Sequence, residues 1–235
     1  MGNKWTQNDM PDMKGKVVII SGANSGLGLE STKALAAKGA TVVMACRNVR
    51  KADEARVEVL RQVPQARLEV MALDNASLDS VRAFAAAFKA KYDRLDLLLN
   101  NAGVMAIPRT ETEDGFEMQF GVNHLAHFAL TGLLLDVLTS TSGSRVHNVS
   151  SSAAFGGSIH FDDLMGEKAY NRWSTYSQSK LANAVFATEL DRRLKAARHD
   201  TIANSSHPGL VMGNLQTNSL QQSGAPWSER IIYRI

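Results

Sequence analysis

Cysteine is almost absent from this chain of 235 residues. The one thiol, Cys46, excludes any intrachain disulfide and suits a reducing compartment, so a cytoplasmic location is expected. Long apolar runs are missing too: the most apolar stretch, residues 128–135, is stopped by Asp136, far short of the ~20 residues a membrane span needs. The polar, mixed-charge segment from Met1 to Pro11 does not read as a secretory signal, and its loose myristoylation pattern, Met1-Gly2 with Thr6, is better explained by chance. Charge of one sign is scarce. The formal net charge is only +3, and basic residues are scattered over helical stretches such as Arg192-Arg193-Leu194-Lys195, which argues against a nucleic-acid partner. No low-complexity tract or internal repeat occurs, and 44% hydrophobic with 21% charged residues is the composition of one well-cored globular domain over residues 1–235.

What is present is a regular alternation. Apolar runs bounded by turn residues, at 16–21, 41–46, 67–73, 95–100, 145–150 and 201–206, alternate with stretches of helical period at 26–38, 49–61, 77–90, 114–138 and 170–197. That pattern predicts an α/β fold: a doubly wound parallel sheet of six strands, order 3-2-1-4-5-6, with helices on both faces. Ligands of such sheets bind beyond the carboxyl ends of the strands, at the switch point. The unusual residues of this chain fall at those ends. A glycine turn follows strand one, Asn100-Asn101-Ala102-Gly103 follows strand four, the serines Ser150, Ser151 and Ser152 end strand five, and His207-Pro208-Gly209 follows strand six.

In Ser21-Gly22-Ala23-Asn24-Ser25-Gly26-Leu27-Gly28 the glycines stand where the backbone must turn sharply and approach a ligand, and the free amides at the start of the next helix suit a dinucleotide pyrophosphate. Arg47 ends strand two where a carboxylate would be needed to bind the free ribose 2′-hydroxyl of NAD(H); with Arg50 or Lys51 it would complement a 2′-phosphate, so NADP(H) is favoured over NAD(H). Asp74, at the end of strand three, either accepts from the adenine amino group or caps the following helix. Tyr176 and Lys180 lie four apart, on one face of a helix, where a cation would draw the phenol, ordinarily at pKa about 10, toward working pH. His124 and His127 have no ligand cluster around them and are expected to pack rather than bind metal.

With the glycine turn, Asn100-Asn101-Ala102-Gly103, the serine cluster and the Tyr176–Lys180 pair in order, the chain resembles the short-chain dehydrogenase/reductase family over residues 14 to about 215. Ala45-Cys46-Arg47-Asn48, Phe120-Gly121-Val122-Asn123-His124-Leu125, Phe161-Asp162-Asp163-Leu164 and Gln178-Ser179-Lys180-Leu181-Ala182-Asn183 resemble its retinol-dehydrogenase-like branch, which also holds the WW-domain oxidoreductases. The resemblance implies an NADP(H)-dependent oxidoreductase acting on a carbonyl or alcohol of lipophilic type. Tyr176 matches the proton donor or acceptor, Lys180 the residue that lowers its pKa and holds the nicotinamide ribose, Ser151 the serine that binds the substrate oxygen, and Asn123 the residue that helps hold a proton-relay water. No metal is implied. Homodimers would form through the helices at 114–138 and 170–197.

The resemblance breaks near the end. Gly213 occupies the position of the threonine that contacts the nicotinamide carboxamide, and the 26 residues after Gly209 are too few for the substrate lid and seventh strand, so the chain reads as shortened there. That deficit supports an alternative: a nucleotide-binding sensor or scaffold with weak or no catalysis.

Overall fold

The computed structural model describes residues 6–209. Its centre is one six-stranded parallel sheet, β1 Val17–Ser21, β2 Thr41–Cys46, β3 Arg67–Ala72, β4 Leu97–Asn100, β5 Arg145–Val149 and β6 Ile202–Ser206, in the order β3-β2-β1-β4-β5-β6. Val17 stands opposite Thr41, Val18 opposite Leu97 and Asn100 opposite Asn148, so the four strands around the switch point end level. The reason is in the side chains. β1 and the last five residues of β2 are buried throughout, as a parallel strand covered on both faces requires.

Two apolar layers sandwich the sheet. Val18, Ile20, Val42, Met44 and Leu99 pack with Leu35 and Ala36 of α1 Gly26–Ala37 and with Ala52 and Ala55 of α2 Val49–Gln62. On the other face Ile19, Val43, Leu98 and Val146 meet Phe84 and Phe88 of α3 Leu78–Lys91 together with Leu130, Leu134 and Leu138. Asn48 and Ser77 cap α2 and α3 by accepting from Lys51 N and Ser80 N.

The helix expected over 114–138 is not one helix. Residues 112–116 close a turn through Gly115 at φ +79°, and the Glu117 carboxylate accepts from Gln119 N and Phe120 N, starting a short turn, α4 Met118–Phe120. A π-helical segment Gly121–Leu125 follows, then α5 Ala126–Leu133, a break at Leu134 (φ −103°, ψ 4°), and α6 Leu135–Ser140. The widened turn re-aims Asn123 and its neighbours, which periodicity does not encode. The last helix, α7 Arg172–Ala196, starts two residues later than expected because Asn171 caps it, accepting from Trp173 N and Ser174 N. No helix among the described residues is long and apolar enough to cross a membrane.

Candidate active site

The carboxyl end of β1 turns at Gly22 (φ +67°) and Gly26 (φ +51°), conformations that L side chains rarely adopt. A Cβ on Gly28 would collide with the Gly22 carbonyl oxygen and stand 2.7 Å from Asn101 Nδ2, whereas one on Gly26 would meet open space. The turn is therefore dense beneath and open above. Ser25, the residue preceding α1, makes no side-chain cap, and no acidic residue lies in the first turn, so no side chain of the turn satisfies the leading amides of α1. Asn24, Ser25 and Leu27 are partly exposed around the opening. This arrangement fits the pyrophosphate of a dinucleotide. Below the turn Cys46 is buried, and burial pushes its thiol up to about 11.

Ser21 joins this turn to the next. Its Oγ accepts from Asn101 N and Ala102 N, each at 2.9 Å, and lies 2.9 Å from His127 Nε2, while Asn101 Nδ2 donates to Ser21 O at 2.8 Å. With its hydroxyl oxygen accepting twice, Ser21 donates its O–H as a hydrogen bond to His127 Nε2. His127 is then neutral, protonated at Nδ1 and donating to Asn123 O at 3.0 Å. Burial, with Lys180 and His124 nearby, holds its pKa at about 4. Asn75 Nδ2 donates to Val122 O and lies 2.9 Å from the same Nε2. One packing histidine thus connects the ends of β1 and β3 with the π-helical segment, and Ser21 extends the link to the turn after β4.

Asn123 clamps the Gly103 turn. Its Nδ2 donates to Val104 O and Ser179 Oγ, its Oδ1 accepts from Val104 N, and a Cβ on Gly103 would stand 2.9 Å from that oxygen. Its main-chain carbonyl also accepts from Asn183 Nδ2 at 3.0 Å.

Tyr176 and Lys180 face this turn from α7. Tyr176 is buried against Met105 and Ala106, with Trp173 edge-on at 6.3 Å. Lys180 Nζ lies 5.8 Å from the centre of the Tyr176 ring, donates to Val149 O at 3.1 Å, and would be 3.6 Å from a Cβ on Gly103. Burial pulls its pKa from 10.5 down to about 8. The serines separate by environment. Ser150 is buried and donates to Lys180 O at 2.7 Å, Ser152 is exposed, and Ser151 caps the short 3₁₀ turn Ser152–Gly156 while staying partly exposed.

Arg47 is exposed at the end of β2 and forms no ion pair among the described residues. Asp74 Oδ1 accepts from Ala76 N, two residues on, in the turn ahead of α3, whose cap is Ser77. Pro208 and Gly209 are exposed beyond β6, where Gly209 N donates to His207 Nδ1 and the His207 ring meets Phe155 edge-on at 5.9 Å. A cleft of about 420 Å³ on the α1 side touches Leu27, Val149 and Pro208 but does not reach Tyr176. Gly213, the residues that follow it and the Met1-Gly2 pattern lie outside the described residues. No group of three or more His, Cys, Asp or Glu suited to a metal occurs among the described residues. The sequence reading assigned no role to Ser21, to His127 as a connector or to Asn183; Ser21 and Asn75 lie 106 and 52 positions from His127, and Asn123 lies 60 from Asn183, so spacing along the chain does not reveal these pairs.

The profile of the short chain dehydrogenase family matches residues 16–224. Human retinol dehydrogenase 11 is 47% identical over 207 residues, which cover 88% of this chain and 64% of that protein. Retinol dehydrogenase 14 of Mus musculus is 48% identical over 213 residues, covering 86% and 63%. This chain thus spans less than two thirds of the length of these curated relatives. Among solved structures, an uncharacterized protein from Mycobacterium Paratuberculosis superposes with a TM-score of 0.81 at 42% identity, over 95% of this chain and 82% of its own. A short chain dehydrogenase of Escherichia coli CFT073 complexed with NADPH shares the fold, with a TM-score of 0.73 at 21% identity over 95% and 87% of the two chains. By its strand order, its glycine turn and a match over most of its length, this chain belongs to the short chain dehydrogenase family, in the retinol-dehydrogenase-like branch.

Proposed function

We propose that the protein is an NADP(H)-dependent oxidoreductase that interconverts a lipophilic carbonyl compound and its alcohol. One observation carries the reading: a buried phenol and a buried ammonium, Tyr176 and Lys180, lie together on α7, with the ammonium beside the Gly103 turn at the carboxyl end of the sheet, where partly exposed Ser151 and the glycine turn also lie. Bound cofactor supplies or accepts the hydride. The chain does the rest. Residues Gly22 to Gly28 would hold the pyrophosphate through backbone amides, exposed Arg47 would neutralise a 2′-phosphate, and Asn101, Ala102, Gly103, Pro208 and Gly209 would hold the nicotinamide half of the cofactor. Asn123 holds the Gly103 turn in place beneath Lys180.

Ser151 donates a hydrogen bond to the substrate oxygen. Tyr176 gives its proton to that oxygen in reduction and takes it back in oxidation, and the Lys180 ammonium stabilises the phenolate between turnovers. The names of the relatives, retinol dehydrogenases, support a lipophilic alcohol or aldehyde. Phe128 and Val185, each 55% exposed on α5 and α7, support a homodimer formed through these helices, checked by light scattering after size exclusion. The buried, unreactive thiol of Cys46 agrees with a cytoplasmic setting.

The test is NADPH consumption against retinoid, aromatic and aliphatic carbonyls, with the Tyr176→Phe protein as blank. Turnover in the parent and a loss of about 10²-fold or more in the variant, with NADPH affinity nearly unchanged, is expected. Equal rates in both proteins would refute the assignment, and NADPH binding without turnover on any carbonyl would support a sensor or scaffold instead.

A further inference from the structure

Gln119 is wholly buried on α4, yet it is polar and lies outside the residues assigned above. All its strong donors and one acceptor site are engaged. Oε1 accepts from Ala106 N at 2.7 Å, and Nε2 donates to Arg172 O and to the Tyr170 hydroxyl, each at 2.9 Å. The amide has one orientation only, because Ala106 offers a donor and Arg172 an acceptor.

Each partner bears on Tyr176. Ala106 is a non-glycine residue at φ +47°, a conformation costing about 1–3 kcal/mol and kept only where the surroundings impose it. With Met105 it forms the wall against which Tyr176 packs. Arg172 opens α7 one turn before Tyr176, and its guanidinium reaches back to Ala106 O at 3.3 Å. Tyr170, whose phenol burial and the Glu117 charge keep protonated, donates to Ile107 O at 2.9 Å. Glu117 starts the turn that carries Gln119.

We infer that Gln119 is a positioning residue for Tyr176: through one side-chain amide it imposes the strained conformation of Ala106 and ties that wall to the first turn of α7. The inference rests on the reading of Tyr176 as the proton donor. Cofactor binding is held by other contacts, through Ser21, Asn101 and His127, so the two should separate. A shift of the phenol by about 1 Å is enough to slow proton and hydride transfer by about 100-fold.

The test uses Gln119→Met, which keeps length and removes both kinds of hydrogen bond, and Tyr170→Phe, which removes only a hydroxyl. In Gln119→Met, kcat is expected to fall about 10- to 100-fold with NADPH affinity within about threefold of the parent. Hydrogen exchange, read without cofactor, should rise at residues 104–107 and 172–177 and stay unchanged in β4 and β5. Tyr170→Phe should raise exchange in the same two segments to a smaller degree, and it decides the matter if Gln119→Met fails to fold. Unchanged exchange in these segments, an unchanged kcat, or equal losses in kcat and NADPH affinity would overturn the inference. A parent protein without turnover would sink the functional reading, while the exchange measurements would still judge this one.

Discussion

The ammonium of Lys180 donates to the main-chain carbonyl of Val149, at 3.1 Å, so the last residue of β5 fixes the cation that stands beside Tyr176. Burial is the dominant influence on that lysine, and it sets a pH window.

With a folded value of about 8 against 10.5 for the free side chain, the folded protein sheds this proton first as pH rises. Below pH 8 both states hold the proton and the buried cation is a cost. Between 8 and 10.5 the unfolded state binds more protons, so this contribution makes stability rise with pH. Relative to Lys180→Met, the parent should gain on the order of 3 kcal/mol across that window in urea titrations. Parallel pH curves would contradict it. Turnover should run the other way, falling above pH 8 as the ammonium is lost, and Lys180→Ala should damage both NADPH affinity and rate.

Arg47 is exposed and forms no ion pair among the described residues, so its charge is available to a phosphate. Arg47→Asp should weaken NADPH binding by about 10-fold or more, the scale of one lost charged hydrogen bond, and raise the relative use of NADH. Fluorescence titration with both cofactors reads this, and an unchanged preference would remove Arg47 from the site.

At Gly28 the obstacle is backbone, which cannot swing aside as a side chain can. Gly28→Ala should therefore destabilise the protein by about 1–3 kcal/mol and weaken cofactor binding, because the Gly22 carbonyl must move with the turn. Gly26→Ala meets no atom but must adopt φ +51°, so strain alone opposes it. Thermal unfolding with and without NADPH separates the cases: only Gly28→Ala should carry a steric loss.

His127 predicts the acid side. Its imidazole is neutral in the fold down to about pH 4 and protonates near 6.5 when unfolded, so the unfolded state binds the extra proton and stability falls as pH drops from 6.5 to 4. His127→Gln should be less stable at pH 7, having lost contacts with Ser21, Asn75 or Asn123, but should lose less on acidification. Denaturant titrations at pH 7 and 4.5 compare the slopes, and equal slopes would show that His127 is not responsible.

Strand order, the glycine turn and the placing of Tyr176 and Lys180 were readable along the chain. They depend on local rules: alternation of apolar runs, glycine where φ must be positive, and a four-residue helical repeat. Strand pairs such as β1 with β4, and the choice of Ser151 among three serines, came from topology and resemblance respectively. In the fold Ser150 spends its hydroxyl on Lys180 O, while Ser151 stays partly exposed.

Other features had no local signature. The 114–138 stretch has helical period throughout, yet Glu117 caps a late start and a π-helical turn interrupts it. Ser21, Gln119, His127 and Asn183 look like ordinary polar residues until distant segments supply their partners. Hydropathy and spacing are properties of neighbours in sequence, and they specify which elements form and at which edge of the sheet chemistry can gather. A buried polar side chain is defined by what desolvates it and what satisfies it, and for these four residues those groups arrive from elsewhere only when the chain has folded.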